Sequence, residues 1–105
     1  MNPTIPEMNR TIGELDGWIF SRSGKTAKKG KNGPWRNTKD FRYHDSWKWL
    51  KPVIDEIFGY ALVHPEKVKP IIEMRIVVNI KFAHERVFEF AKWFQTLNNE
   101  YKIHQ

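Results

Sequence analysis

Between Glu73 and Tyr101 the spacing of apolar residues changes from two to three and four, and this change constrains the fold more than any other feature. Met74, Ile76, Val78, Ile80 and Phe82 alternate with Glu73, Arg75, Val77, Asn79 and Lys81. Period two with one apolar face predicts a half-buried strand. Immediately afterwards Ala83, Val87, Phe90, Phe94, Leu97 and Tyr101 recur on one helical face, and Phe88, Ala91 and Trp93 widen the stripe. That is an amphipathic helix, with Asn98 and Asn99 expected at its fraying end. A strand and a helix that each need an apolar partner layer imply an α+β fold.

The rest of the chain supplies further elements. Met8, Ile12 and Leu15 share one face of a short first helix. Thr11 with Glu14, and Thr4 with Glu7 one turn earlier, both have capping-box spacing. Pro6 suits a first turn and Gly17 a C-terminal stop. Trp18 to Ser21 reads as a short strand. In the second helix Trp47, Leu50, Ile54, Ile57 and Phe58 form the stripe, Asp45 or Ser46 is the N-cap, and Gly59 closes the helix. Pro52 inside it predicts a kink or an irregular first turn. Tyr60 to Val63 is a candidate short strand, and His64 to Pro70 a connector.

The expected architecture is three helices packed on a small, mostly antiparallel sheet, as a two-layer or α/β/α sandwich, in one domain spanning 1–105. So few strands leave exposed edges, which proteins cover or pair. Self-association into a homo-oligomer is one way to complete the sheet.

At 105 residues the chain can bury a core without staples, and aromatic residues at 14% supply large buried area. It has no cysteine, which excludes disulfides and thiolate chemistry and suits a cytoplasmic setting. No apolar run reaches membrane-spanning length, and Met1 to Arg10 lacks the apolar core of a signal peptide.

Sites of chemistry are harder to find. Ser23-Gly24-Lys25-Thr26 imitates the end of a phosphate-binding loop, but the first glycine of that motif is replaced by Ile19 and no helix pattern follows. His44, His64, His84 and His104 show no metal-ligand spacing. Asp55 and Glu56 diverge on a helix, and Glu85, Glu89 and Lys92 form an ordinary solvated charge pattern. The expectation is therefore a protein without catalytic residues, cofactor or metal.

Positive charge is the remaining signal, with a formal net charge of +6. It gathers in the segment 21–40, which its glycines, Pro34 and lysines mark as a flexible basic loop. Arg22, Lys25, Lys28, Lys29, Lys31, Arg36 and Lys39 lie there with Trp35, and Arg42, Phe41 and Tyr43 follow. Lysines meeting phosphates and rings stacking on bases would suit a single-stranded nucleic acid. An acidic protein is the other partner such a charge invites. The same residues also fit a merely solvated loop anchored by core rings.

Two stretches carry a family resemblance. One runs Tyr43-His44-Asp45-Ser46-Trp47-Lys48-Trp49-Leu50-Lys51-Pro52-Val53-Ile54, and the other Val87-Phe88-Glu89-Phe90-Ala91-Lys92-Trp93-Phe94. They resemble short proteins of gut Bacteroidetes and their prophages, a family similar to the phage ABA sandwich domain. Leu15 to Trp18 fits that family's first helix. The basic loop and Gly13 depart from its pattern. The resemblance implies an α/β sandwich and a mobile-element origin, and it transfers no catalytic residue. It leads to a non-enzymatic accessory or interaction protein associated with a phage or prophage, with a nucleic-acid-binding module as the alternative. In the shared motif Trp47 and Leu50 are expected to face inward, with Tyr43 and Trp49 covering the flank.

Overall fold

A computed structural model of the chain describes residues 3–59, 66 and 79–103. Helix α1 spans Ile5–Leu15 and begins with a complete capping box. The Thr4 hydroxyl accepts the Glu7 N–H at 3.3 Å, and the Glu7 carboxylate accepts the Thr4 N–H at 3.4 Å. Such a cap stabilises a helix start by about 1 kcal/mol. Met8, Asn9, Ile12 and Gly13 form the buried face. Gly17, at φ +96, turns the chain out of the helix, a conformation that costs a residue without Cβ nothing.

A three-stranded antiparallel sheet follows, with β1 at Trp18–Phe20, β2 at Thr26–Lys29 and β3 at Arg36–Asn37 in the order β1-β2-β3. Trp18 pairs with Lys29, Ile19 with Lys28, and Phe20 with Ala27, which pairs in turn with Arg36. The segment 21–40, expected as a loop, thus contains two strands and a 3-10 turn at Thr38–Asp40. Its strands escaped the sequence because β2 has one apolar residue, Ala27, so the alternation carries almost no hydrophobic signal. Backbone bonding supplies the order instead. Thr38 donates its N–H to the Lys25 carbonyl at 3.0 Å, and its hydroxyl reaches the Gly24 and Lys25 carbonyls at 2.9 and 3.0 Å. Between β2 and β3 the backbone passes so close that a Cβ on Gly33 would lie 2.3 Å from the Lys29 carbonyl oxygen, which only glycine tolerates.

Helix α2 spans Trp47–Phe58 and runs continuously through Pro52. Its buried residues are Leu50, Val53 and Ile57. Trp47 is 42% exposed, a correction to its expected inward position. It opens the helix beyond the edge of the core, so the face that buries Leu50 leaves it in solvent. Tyr43, expected on the flank, is instead fully buried, and Trp49 packs half-buried against the core.

Helix α3 spans Ile80–Ile103. Asn79 starts it, its side-chain oxygen accepting the N–H groups of Lys81 at 2.9 Å and Phe82 at 3.4 Å. Ile80 to Phe82 therefore belong to the helix and not to the expected strand. The cap at Asn79 overrides the alternating pattern there. At the other end the helical backbone passes through Asn98 and Asn99. The remainder of that strand, residues 74–78, and the candidate strand Tyr60 to Val63 lie outside the described residues.

The described elements confirm an α+β fold of three helices and a small antiparallel sheet. The core lies between α1, α2, α3 and the inner face of the sheet. Ile12, Tyr43, Leu50, Val53, Ile57 and Val87 are its largest fully enclosed side chains. Phe41 is the aromatic hub: its ring lies 4.7 Å from Trp18, 5.7 Å from Phe20, 5.9 Å from Tyr43 and 5.3 Å from Trp49, centroid to centroid. Gly13 admits this hub to α1. A Cβ there would meet the Phe20 ring at 3.0 Å and the Phe41 ring at 3.1 Å. Gly13→Ala should therefore destabilise the protein by about 1–2 kcal/mol, even though alanine is the better helix former. Urea denaturation measures it, and a stabilised variant would show that the rings have room to yield.

Candidate nucleic-acid interface

The register sorts the basic residues onto two surfaces, because residues directly opposed across strands share one face. Ile19 and Lys28 are opposed, and the Lys28 ammonium sits 5.0 Å from the centroid of the Trp35 ring. These three side chains form a row across the outer face of the sheet. Trp35 is 54% exposed and Ile19 46% exposed, so the row offers an indole face and an aliphatic patch to solvent. Arg22 and Lys25 of the β1–β2 turn, Lys31 of the β2–β3 connection and Lys39 of the 3-10 turn are exposed as well. None of these cations has an acidic partner among the described residues.

Lys29 and Arg36 depart from the group. They belong to the opposite face of the sheet and border a pocket of about 310 Å³ that α2 completes with Lys48, Trp49 and Pro52. Asp16 and Trp18 also line it. Spacing along the chain carries no signal of this grouping, since Asp16, the basic strands and Lys48 come together only in the fold. Arg36 and Lys48 are exposed and without an acidic partner among the described residues. Lys29 reaches the buried Asp16 carboxylate at 3.4 Å, and the Tyr43 hydroxyl donates to the same oxygen, Oδ2, at 2.6 Å. Burial, and then this bond, hold the Tyr43 hydroxyl protonated far above its ordinary range. Glu56 stands close enough to feel Asp16; burial first, and Asp16 second, raise its carboxyl above the ordinary value. The Trp18 indole N–H approaches the Tyr43 hydroxyl without completing a hydrogen bond and is the one enclosed side-chain donor left unpartnered among the described residues. The Trp18 and Trp49 rings stack 6.2 Å apart at 17°.

A second polar cluster joins residues the sequence kept apart. Asn9 of α1 bridges His44 and His84, whose rings lie 6.1 Å from each other. The Asn9 amide nitrogen lies 3.4 Å from the Phe41 carbonyl, an acceptor only, which fixes the orientation of the amide. The same nitrogen therefore donates to His44 Nδ1 at 3.0 Å, and Asn9 Oδ1 accepts from His84 Nε2 at 2.8 Å. His44 Nε2 then faces the Asp45 carboxylate at 3.6 Å. His84 is 3% exposed, and burial, assisted by His44, pushes its imidazole down to about 4. The pair is bridged by an amide and does not converge on an ion; no group of three or more metal-ligating side chains comes together among the described residues. The cluster ties α1, the segment before α2 and α3 together.

No family model, curated protein or solved structure matches the chain. Fold and site together define a small α+β protein with a basic, aromatic sheet face and a basic-rimmed pocket behind it. Among the described residues no helix is long and apolar enough to cross a membrane.

Proposed function

We propose that the chain is a non-enzymatic binding module whose basic sheet face takes single-stranded nucleic acid. The observation that carries this reading is Trp35, more than half exposed beside Lys28 and Ile19 on an ordered sheet face. A core-anchoring ring would be enclosed, whereas a stacking ring needs a free face. Exposed cations of the adjoining turns, without acidic partners among the described residues, supply the phosphate contacts, and base stacking on an indole tolerates any sequence. A phage or prophage accessory role fits the same surface. It is supported by the motif resemblance alone, and a gene lying among phage replication or structural genes would strengthen it.

Anisotropy of labelled oligonucleotides tests the binding. Single strands should bind with a steep salt dependence. Lys28→Ala with Lys31→Ala should make the salt slope shallower by about 1.4, at roughly 0.7 per phosphate contact. Trp35→Ala should cost about 1–3 kcal/mol if one base stacks there. Absence of binding at low salt overturns the proposal. Binding that survives Trp35→Ala but not loss of the lysines would mean that the strand is held by charge alone, without stacking on the indole.

A further inference from the structure

The pocket behind the sheet differs from the outer face in one respect: it pairs cations at its rim with a carboxylate at its floor. Arg36 and Lys48 stand at the rim without acidic partners among the described residues. At the floor, Asp16 Oδ2 is engaged by Tyr43 and Lys29, while Oδ1 makes no hydrogen bond among the described residues. Trp18 and Trp49, stacked on one another, supply the apolar part of the lining. A volume of about 310 Å³ is at the small end of ligand pockets, which favours one compact group over a chain segment.

A simple anion satisfies only the rim and leaves Asp16 Oδ1 without a donor. A simple cation satisfies only the floor and is repelled by the rim. A nucleotide satisfies both, with its phosphate toward Arg36 and Lys48, its ring against the apolar lining of the tryptophan pair, and a base donor toward Asp16. We infer that this pocket receives one unstacked nucleotide whose base carries an amino group: guanine, cytosine or adenine. Thymine and uracil offer a single N–H between two carbonyl oxygens, and the carboxylate repels both. A carboxylate accepting from a base amine is a known basis of discrimination in nucleic-acid recognition. The inference rests on the nucleic-acid reading where the nucleotide belongs to a strand, and stands apart from it where the nucleotide is free.

The test compares a short oligothymidylate with the same strand carrying one central dG, dC or dA. Each substituted strand should bind the wild-type protein roughly fivefold to tenfold more tightly. Arg36→Ala with Lys48→Ala, both at exposed positions, should shrink that advantage toward unity. Asp16→Asn should abolish it, though this variant also disturbs Tyr43 and Lys29. Calorimetry with free guanosine and uridine monophosphates separates the two sources. Equal binding of all strands, with no binding of free guanosine monophosphate, overturns the inference and leaves the outer-face reading intact. Binding of guanosine monophosphate, lost in the rim variant, with no strand bound would sustain the pocket as a free-nucleotide site while removing the proposed function. If neither strands nor nucleotides bind, both fall.

Discussion

Tyr43→Ala is expected to destabilise the protein by about 3–5 kcal/mol, the range for deleting a large enclosed ring. The ring is fully buried and meets Phe41 and Trp49 edge to face, with centroids 5.9 and 5.3 Å away. Removing it opens a void that the second helix and the sheet cannot both close. Tyr43→Phe separates the ring from its hydroxyl. That hydroxyl gives the buried Asp16 carboxylate a bond of 2.6 Å, so its loss should cost about 1.5–3 kcal/mol, the range for bonds to charged groups. Lys29 would remain as a partner at 3.4 Å, and its ammonium is largely exposed, so it compensates little. Chemical denaturation of the wild type and both variants measures the two terms. Near-equal costs for phenylalanine and alanine would mean that the ring contributes little, against its complete enclosure.

Tyr43 also shows where the sequence was legible. Elements fixed by local chemistry could be read directly: the Thr4–Glu7 capping box, the Gly17 stop, Leu50 and Ile57 on the buried face of the second helix, though not Val53 between them, and the long repeat from Ala83. The local alternation from Met74 misled at its end, because Asn79 caps a helix that takes up Ile80 and Phe82. Strands β2 and β3 were illegible for a different reason. A strand with one enclosed residue among lysines has a hydrogen-bonded partner but no hydrophobic period. The candidate site divides along the same line. Charge and aromatic content pointed to Lys28 and Trp35, and the structure brings these two together. Only tertiary pairing could reveal that Lys29 and Arg36 face Asp16 and Lys48 instead, or that Asn9 meets two histidines. Short-range rules cannot register contacts between residues that far apart in the chain.

The histidine cluster has a measurable consequence in acid. His84 has an ordinary value of 6.5 and is held at about 4 by burial and by the neighbouring His44. Between these values the unfolded chain binds a proton that the folded chain refuses. Stability is therefore full above pH 6.5, falls as pH drops, and levels off below about 4. At about 1.4 kcal/mol per pH unit the loss is on the order of 3 kcal/mol. Two other groups must be set against it. Asp45 is held below its ordinary 3.8, first by Arg42, so its contribution is lost only below this window. Glu56 is raised above 4.5, so its protonation relieves strain within the window and works in the opposite direction. The comparison that isolates His84 is therefore His84→Gln, whose amide keeps a donor for Asn9 Oδ1 without an imidazole to charge. Denaturation across pH 4 to 7 should show the wild type losing more stability than the variant, with the two curves converging toward acid. Parallel curves would mean that the imidazole is protonated in place. The added proton would then sit on Nδ1, because Nε2 already carries the one donated to Asn9 Oδ1, and the Asn9 bridge would keep its present orientation.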